Sequence, residues 1–526
     1  MIQGIHFLFS HCAVSGNSSL LILLAVSAKC YLKLTVHDIG NAFQGTPRDE
    51  TKETPPIYIT MPPYYLQWFK KSFPKVKLDD KEKYVLQMFA NMQGTKNASR
   101  DFNVLITKMF AAINLFPTSV DSGIYVMSKN KNLLILAIQT DDLLIATNDE
   151  SLRELVITTL EKGFQVTSQG GTLLKFLNFR IIQTTHGISA DQTQHIDDML
   201  KKYFPPGTKV QKTDTPLRSD RQFQEEIYNS VPATPSELKG LEKQYGFKYG
   251  TVYGELMHIS AWSRPDLANA INRLGVFQAA PCKLGFEAIF RVLKYLKTHT
   301  NCPLMYSRDP FSVDSTFQSH FHKTKPNEGL SVPHCLCGHV DSSFAPEKSI
   351  RHSITGCVET IGTTAVSWKT TKQVSCATSA TDAETRAFYL EAKRIKKHRS
   401  LMQQIGLSIK NPTPVLSALE NNYNSPTPIF EDNKGTRDMI EAGKVTSNMK
   451  HIELPLKYVH ELNECGTLTC MPCASQNMFA DTFTKQETGP KHCQARKWYM
   501  GQRFYPPVNS EHYKLLTETL PLATGN

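Results

Sequence analysis

Between Asn132 and Thr147 apolar residues run almost without interruption, and the interruption is acidic: Asn132-Leu-Leu-Ile-Leu-Ala-Ile-Gln-Thr-Asp141-Asp142-Leu-Leu-Ile-Ala-Thr147. Polar residues frame the run on both sides (Lys129, Asn130 and Lys131; Asn148, Asp149 and Glu150), which predicts two short buried strands meeting as a hairpin at the acidic pair. Leu32 to Asp38 alternates and predicts a strand ending on a carboxylate. Ser19 to Ser27 is apolar throughout; it is far short of the ~20 residues needed to span a bilayer, so a buried helix is expected. Further along, the pattern predicts an amphipathic helix over 151–164, a strand over 174–182, a short strand entering a helix over 188–200, and a helix over 286–297. That last helix has an apolar stripe (Phe286, Ile289, Phe290, Leu293, Leu296) with Arg291, Lys294 and Lys297 beside it.

Two polar stretches, 205–250 and 307–333, read as linkers. Beyond the second lies a separate α/β pattern: strands over 335–344, 353–360, 364–370 and 428–432, a long helix from Ser379, and a late helix opened by Phe479 to Lys485. The 526 residues exceed a single core and suggest about three domains. Lys and Arg number 59 against 48 Asp and Glu, a formal +11, which suits a polyanionic partner without identifying one. The twelve cysteines follow no repeating framework, so intracellular thiols are expected rather than disulfides. Neither His334-Cys335-Leu-Cys337 with His339, which is too crowded, nor Cys470-Met-Pro-Cys473, which lacks a second pair, reads as a zinc site.

Two adjacent ionised carboxylates in an apolar run are costly unless a cation or hydrogen-bond donors meet them. Asp141 and Asp142 are therefore either an exposed turn or a site for a hard divalent ion, Mg²⁺ or Mn²⁺. Asp38 is likewise either a residue of the turn after its strand or a third oxygen ligand.

Asp38-Ile-Gly-Asn-Ala-Phe43, the Asp141–Asp142 hairpin, Met92-Gln-Gly-Thr-Lys-Asn-Ala-Ser-Arg100-Asp-Phe102 and Val120-Asp-Ser-Gly-Ile-Tyr125 together resemble the reverse transcriptase of Ty1/copia-type retrotransposons. Leu174 to Ile182 and Ser263-Arg-Pro-Asp266 look like later segments of the same family. Asp341, Glu384, Asp432 and Asp481 match one by one the four acids of the ribonuclease H domain that follows it, and Lys450-His-Ile-Glu453 is similar to that family's Lys-His-Ile-Asp. Asp121-Ser-Gly123 has no partner triplet and does not read as an aspartic protease half-site.

The resemblance implies an α+β palm and thumb polymerase fold with truncated fingers, followed by an α/β ribonuclease H-like domain with a mixed sheet. The boundaries expected are 1–18 unassigned, 19–217 palm with partial fingers, 218–306 thumb and connection, 307–333 linker, 334–490 ribonuclease H-like and 491–526 tail. It implies two metal ions per active site, held by Asp38, Asp141 and Asp142 in the first and by Asp341, Glu384, Asp432 and Asp481 in the second. Gln93, Gly94, Arg100 and Phe43 would bind the nucleotide, although Phe43 is equally open to a core role. The helix bearing Arg291, Lys294 and Lys297 would grip a duplex or simply be solvated. Partners implied are an RNA template, a DNA primer, an RNA–DNA hybrid and deoxynucleoside triphosphates, with no membrane; the location implied is intracellular, in cytoplasmic particles or the nucleus.

Some positions depart from the family. Gln139 and Thr140 replace the Tyr and Val of Tyr-Val-Asp-Asp, Ser342 and Ser343 replace the Ala and Asp after the first ribonuclease H acid, Gly45 falls one residue early, and Asn178 takes a Gly position. Most of the fingers is missing before Asp38, so the chain is expected to be the 3′ part of a longer polyprotein. The alternatives are a polymerase-inactive remnant that keeps nucleic-acid binding, with or without ribonuclease H activity, and an unrelated metal-dependent nuclease.

Overall fold

The computed structural model describes residues 14–48, 56–76, 84–95, 97–129, 132–308, 336–346, 351–407, 426–445 and 447–502. Nearly all of the expected 307–333 linker, the residues His334 and Cys335, and the tail from Arg503 lie outside the described residues.

The chain opens with helix α1 (Asn17–Lys29) and strand β1 (Lys33–Gly40), then a ribbon of β2 (Tyr58–Thr60) and β3 (Val85–Gln87) with α2 (Pro63–Ser72) between them. Helix α3 (Ala98–Ala111), β4 (Phe116–Pro117), β5 (Ile124–Lys129), β6 (Asn132–Gln139), β7 (Asp142–Thr147), α4 (Glu150–Leu160) and β8 (Gln165–Gln169) complete an antiparallel sheet of order β4-β5-β6-β7-β1-β8. The expected hairpin is β6–β7. Its sequence runs apolar instead of alternating because both faces are covered. Leu133, Ile135 and Ala137 join the core around α1, while Leu134, Leu136 and Ile138 join a second core with Phe102, Phe110, Leu152 and Val156 of α3 and α4.

A second antiparallel sheet follows, β9 (Leu173–Phe176), β10 (Phe179–Gln183), β11 (Gly187–Asp191) and the later β12 (Leu304–Ser307), in the order β12-β11-β10-β9. The single strand expected over 174–182 is in fact the β9–β10 hairpin. Phe176 and Phe179 are paired across its tip, and Leu177 turns the chain with φ 54°. Helices α5 (Thr193–Tyr203), α6 (Arg221–Asn229), α7 (Pro235–Tyr245), α8 (Tyr249–Trp262), α9 (Ala268–Leu274) and α10 (Lys283–Thr298) build a helical layer on their own core of Leu200, Phe223, Leu256, Phe286 and Leu293. The stretch 205–250, expected to be a linker, contains α6 and α7. Its polar signals are caps: Asp220 accepts from the Phe223 N–H, Thr234 and Glu237 form a capping box, and Gly246 closes α7 in the left-handed conformation at φ 75°.

The final layer is β13 (Leu336–Ser343), β14 (Ile354–Ile361), β15 (Thr364–Lys372), α11 (Ala380–Leu407), β16 (Thr427–Glu431), α12 (Lys434–Ala442), α13 (Glu453–Glu464), β17 (Leu468–Pro472), α14 (Asp481–Thr484) and α15 (Gly489–Tyr499). The sheet order is β15-β14-β13-β16-β17, with the first three strands antiparallel and β16 and β17 parallel to β13. A separate unit is expected here from the sequence, yet one continuous core joins α1, strands of the first two sheets and this sheet. α1, apolar all round as a buried helix is, packs on β6, β7, β11, β12 and β15. Among the described residues no helix is long and apolar enough to cross a membrane.

The Ser263-Arg-Pro-Asp266 segment also has a structural role. Arg264 and Asp266, both fully buried, pair through Nε–Oδ1 (2.9 Å) and Nη2–Oδ2 (2.7 Å). Tyr295 of α10 donates to Asp266 (2.7 Å), and Arg496 of α15 donates to the Tyr295 hydroxyl (2.8 Å). The helical layer is thereby fastened to α15.

Candidate active site

Two acidic groupings stand on these sheets. In the first, β1 and β7 run antiparallel with Asp38 opposite Asp142, so the two carboxylates share one face. The Ile39 N–H donates to the Asp141 carbonyl at 3.0 Å, which fixes the hairpin tip against β1. That tip has two residues, Thr140 and Asp141, and Thr140 sits at φ 59°. A β-branched residue in this region is strained by roughly 1–3 kcal/mol. Burial, then Asp141, then Asp38 raise the Asp142 carboxyl above the usual carboxylate range. Next to Asp38, His37 lies buried between Thr35 Oγ1 and Ser168 Oγ, both at 2.8 Å; burial, reinforced by Arg153, lowers it to about 4 and keeps it neutral.

Gln139, in the position of the family Tyr, donates to the Ser15 carbonyl at 2.5 Å, and the Ser15 N–H donates to the Ile138 carbonyl at 3.0 Å. Asp121 accepts from the Gly16 and Gly123 N–H groups (2.9 and 3.0 Å), so the Asp121-Ser-Gly triplet anchors the chain ahead of α1. Phe43 is half-buried and meets Phe102 edge to face, centroids 6.1 Å apart, so one side of its ring packs at the margin of the core around α3. Backbone bonds from Arg48 to Phe89 and from Asn91 to Thr46 (3.0 and 3.1 Å) bring the segment of Gln93 and Gly94 against the turn after Asp38. Gln93 and Gly94 are exposed there, and Arg100 pairs with Asp101 at 3.1 Å.

The second grouping is tighter. Asp341 on β13, Glu384 on α11 and Asp432 just past β16 each offer an oxygen, all within 4.8 Å of one another. Among the described residues no other trio of acids, histidines or cysteines meets that spacing, the Asp38 group included. Register explains the convergence: β13 and β16 are parallel neighbours with His339 beside Phe430, so both strands deliver their acids at the same end. The start of α11 is pinned by Asp382, which accepts from the Thr378 N–H (2.7 Å) and Arg386 Nε (2.6 Å) and lies 2.7 Å from His451 Nε2. His451 belongs to the Lys-His-Ile-Glu segment, which thus serves to orient the helix carrying Glu384.

Burial dominates the electrostatics. It raises Asp341 to about 7, opposed by Lys485 and reinforced by Asp481, and it pushes Glu384 well above the usual range with help from Glu431 and Asp341. Oε2 of Glu384 and Oε2 of Glu431 are buried without a hydrogen-bond partner. Hard oxygen donors crowded in a poorly solvated place, with an orphaned lone pair, fit a divalent cation. Asp481 stands apart from the trio: Lys485 (2.8 Å) and Lys491 (2.7 Å) neutralise it, and Lys485 also reaches Asp341 at 3.2 Å. Sequence reading missed these lysines and Glu431, although Glu431-Asp432 is itself a second adjacent acidic pair at a strand end.

Residues 1–217 match the reverse transcriptase (RNA-dependent DNA polymerase) family. Over 484 residues, 92% of the chain, the sequence is 24% identical to the retrovirus-related Pol polyprotein from transposon RE1 of Arabidopsis thaliana. It is 22% identical over 488 residues to that from transposon TNT 1-94 of Nicotiana tabacum. The chain spans 28% and 32% of the length of these relatives. The resemblance to Ty1/copia-type retrotransposon polyproteins therefore holds across most of the chain.

Proposed function

We propose that this relative of retrotransposon Pol polyproteins is an RNA-directed DNA polymerase joined to a ribonuclease H, with its better-formed centre at Asp341, Glu384 and Asp432. The observation that carries the reading is the convergence of those three carboxylates within 4.8 Å. The mixed sheet order, three antiparallel strands followed by two parallel ones, supports a ribonuclease H-like layer. Asp341, Glu384 and Asp432 would hold Mg²⁺ or Mn²⁺ there, and Asp38, Asp141 and Asp142 in the first grouping. Such ions, two to a site, activate the attacking oxygen and stabilise the leaving one in displacement at phosphorus. The attacking oxygen is a primer 3′-hydroxyl in the first site and water in the second. Lys485 beside Asp341, and Asp481 held by two lysines, keep the second site's acids in place and balance part of their charge.

Cleavage without polymerisation is a second reading, favoured because the Asp38 group does not close to the spacing of the Asp341 group. Two assays in Mg²⁺ separate the readings: cleavage of an RNA–DNA hybrid, and extension of a DNA primer on an RNA template with deoxynucleoside triphosphates. Cleavage with extension supports the first reading and cleavage alone the second. Extension without cleavage contradicts the ranking of the two sites.

A further inference from the structure

Helix α2 buries none of its side chains. Its outward strip is Tyr64, Trp68 and Lys71, at i, i+4 and i+7, with Tyr64 75% and Trp68 52% exposed. Around Trp68 the rings form a continuous set: Tyr65 at 5.2 Å, Phe73 at 6.0 Å, and Phe69 against Phe73 at 4.8 Å. Tyr58 and Val85 on the β2–β3 ribbon are exposed as well. Residues 56–76 carry Lys70, Lys71 and Lys75 and no carboxylate. So much exposed apolar surface on one short element marks a binding face. What distinguishes this one is that every charged residue among the rings is a lysine. An apolar protein surface would have no use for those charges, whereas a chain of unstacked bases offers π-faces to the rings and phosphates to the ammonium groups.

We infer that α2 is a stacking platform for single-stranded nucleic acid, with Tyr64 and Trp68 taking bases and Lys71 and Lys75 the backbone phosphates. The inference rests on the reading of the chain as an enzyme of polynucleotides, and deepens it by naming where an unpaired strand is held. Tracking of the strand past this helix would not depend on metal, since residues 56–76 offer no carboxylate to hold one.

The test is fluorescence anisotropy of the whole chain with a labelled single-stranded RNA of ~16 nucleotides and with a blunt RNA–DNA hybrid, both in EDTA. Trp68→Ala should weaken single-strand binding by about tenfold or more, roughly 1.4 kcal/mol, and Lys71→Glu/Lys75→Glu should flatten its salt dependence. Hybrid binding and the thermal unfolding midpoint should stay as in the wild type. Unchanged single-strand affinity in a folded Trp68→Ala protein would overturn the proposal, as would self-association that Trp68→Ala abolishes, which would mean that a second copy covers the face. If the wild type bound no RNA of either kind, the reading beneath the proposal would fall with it; if the wild type bound and Trp68→Ala bound equally, only the platform would.

Discussion

Replacing Asp266 by Ala perturbs the most completely buried ion pair described in the chain. The carboxylate accepts three hydrogen bonds, two from Arg264 and one from Tyr295, and neither partner of the Arg264–Asp266 pair reaches solvent. Without it Arg264 keeps one protein acceptor among the bonds described here, the His299 carbonyl at 2.8 Å, and a guanidinium remains buried without its counter-charge. Removing one partner of such a pair costs about 3–5 kcal/mol, mostly the stranded charge. No discount for solvent screening applies, because the side chains are 1% and 0% exposed. The Arg264→Met/Asp266→Leu double variant should recover a large part of the loss, since no charge is left behind. Urea unfolding followed by circular dichroism measures both. A loss below about 1 kcal/mol for Asp266→Ala, or a double variant as unstable as the single one, would refute the claim that this motif acts as a lock.

Two further outcomes follow from the geometry. Burial, then Glu359, raises Glu391 to about 8; a raised carboxyl contributes stability that is fully present below its ordinary pKa near 4.5 and is lost as pH rises through 8, so Glu391→Gln should flatten this part of the pH–stability curve and be more stable than the wild type at pH 9. A Cβ on Gly123 would lie 2.2 Å from the Ser15 nitrogen, so Gly123→Ala should free the segment ahead of α1 and raise amide exchange at Ser15 and Gly16, with a loss of about 1–3 kcal/mol from overpacking.

Much of this was legible in the chain. The hairpin at Asp141–Asp142, the buried helix after Ser19, the strands carrying Asp38 and Asp341 and the strand leading into Asp432 each announce themselves by apolar runs of strand or helix length beside charge, and local patterning is sufficient for that. The misread places share another cause. The 205–250 stretch is polar because its helices are short and capped, and Asp220, Thr234 and Gly246 are cap residues rather than linker residues. The 174–182 stretch is apolar on both sides of a two-residue turn, Leu177-Asn178, whose one turn-forming residue, Asn178, is masked by the apolar residues around it, while Leu177 takes φ 54°. At the site, spacing along the chain could nominate four acids but could not show that two lysines from α15 and the loop before it occupy Asp481. Nor could it show that Glu431 lies close enough to raise Glu384, since both facts depend on how α11, α14 and α15 pack. Ser263-Arg-Pro-Asp266 shows the converse: a segment shared with the family by sequence, whose described contacts here are structural.

The most direct test of the central claim is hybrid cleavage in Mg²⁺ by Asp341→Asn, Glu384→Gln and Asp432→Asn proteins, with Asp141→Asn alongside. Each of the first three should lose at least about a hundredfold in rate, the scale for removing one charge-stabilising group from a site, while Asp141→Asn cleaves as the wild type does. Cleavage that survives Asp341→Asn, or that falls equally in Asp141→Asn, would contradict the account.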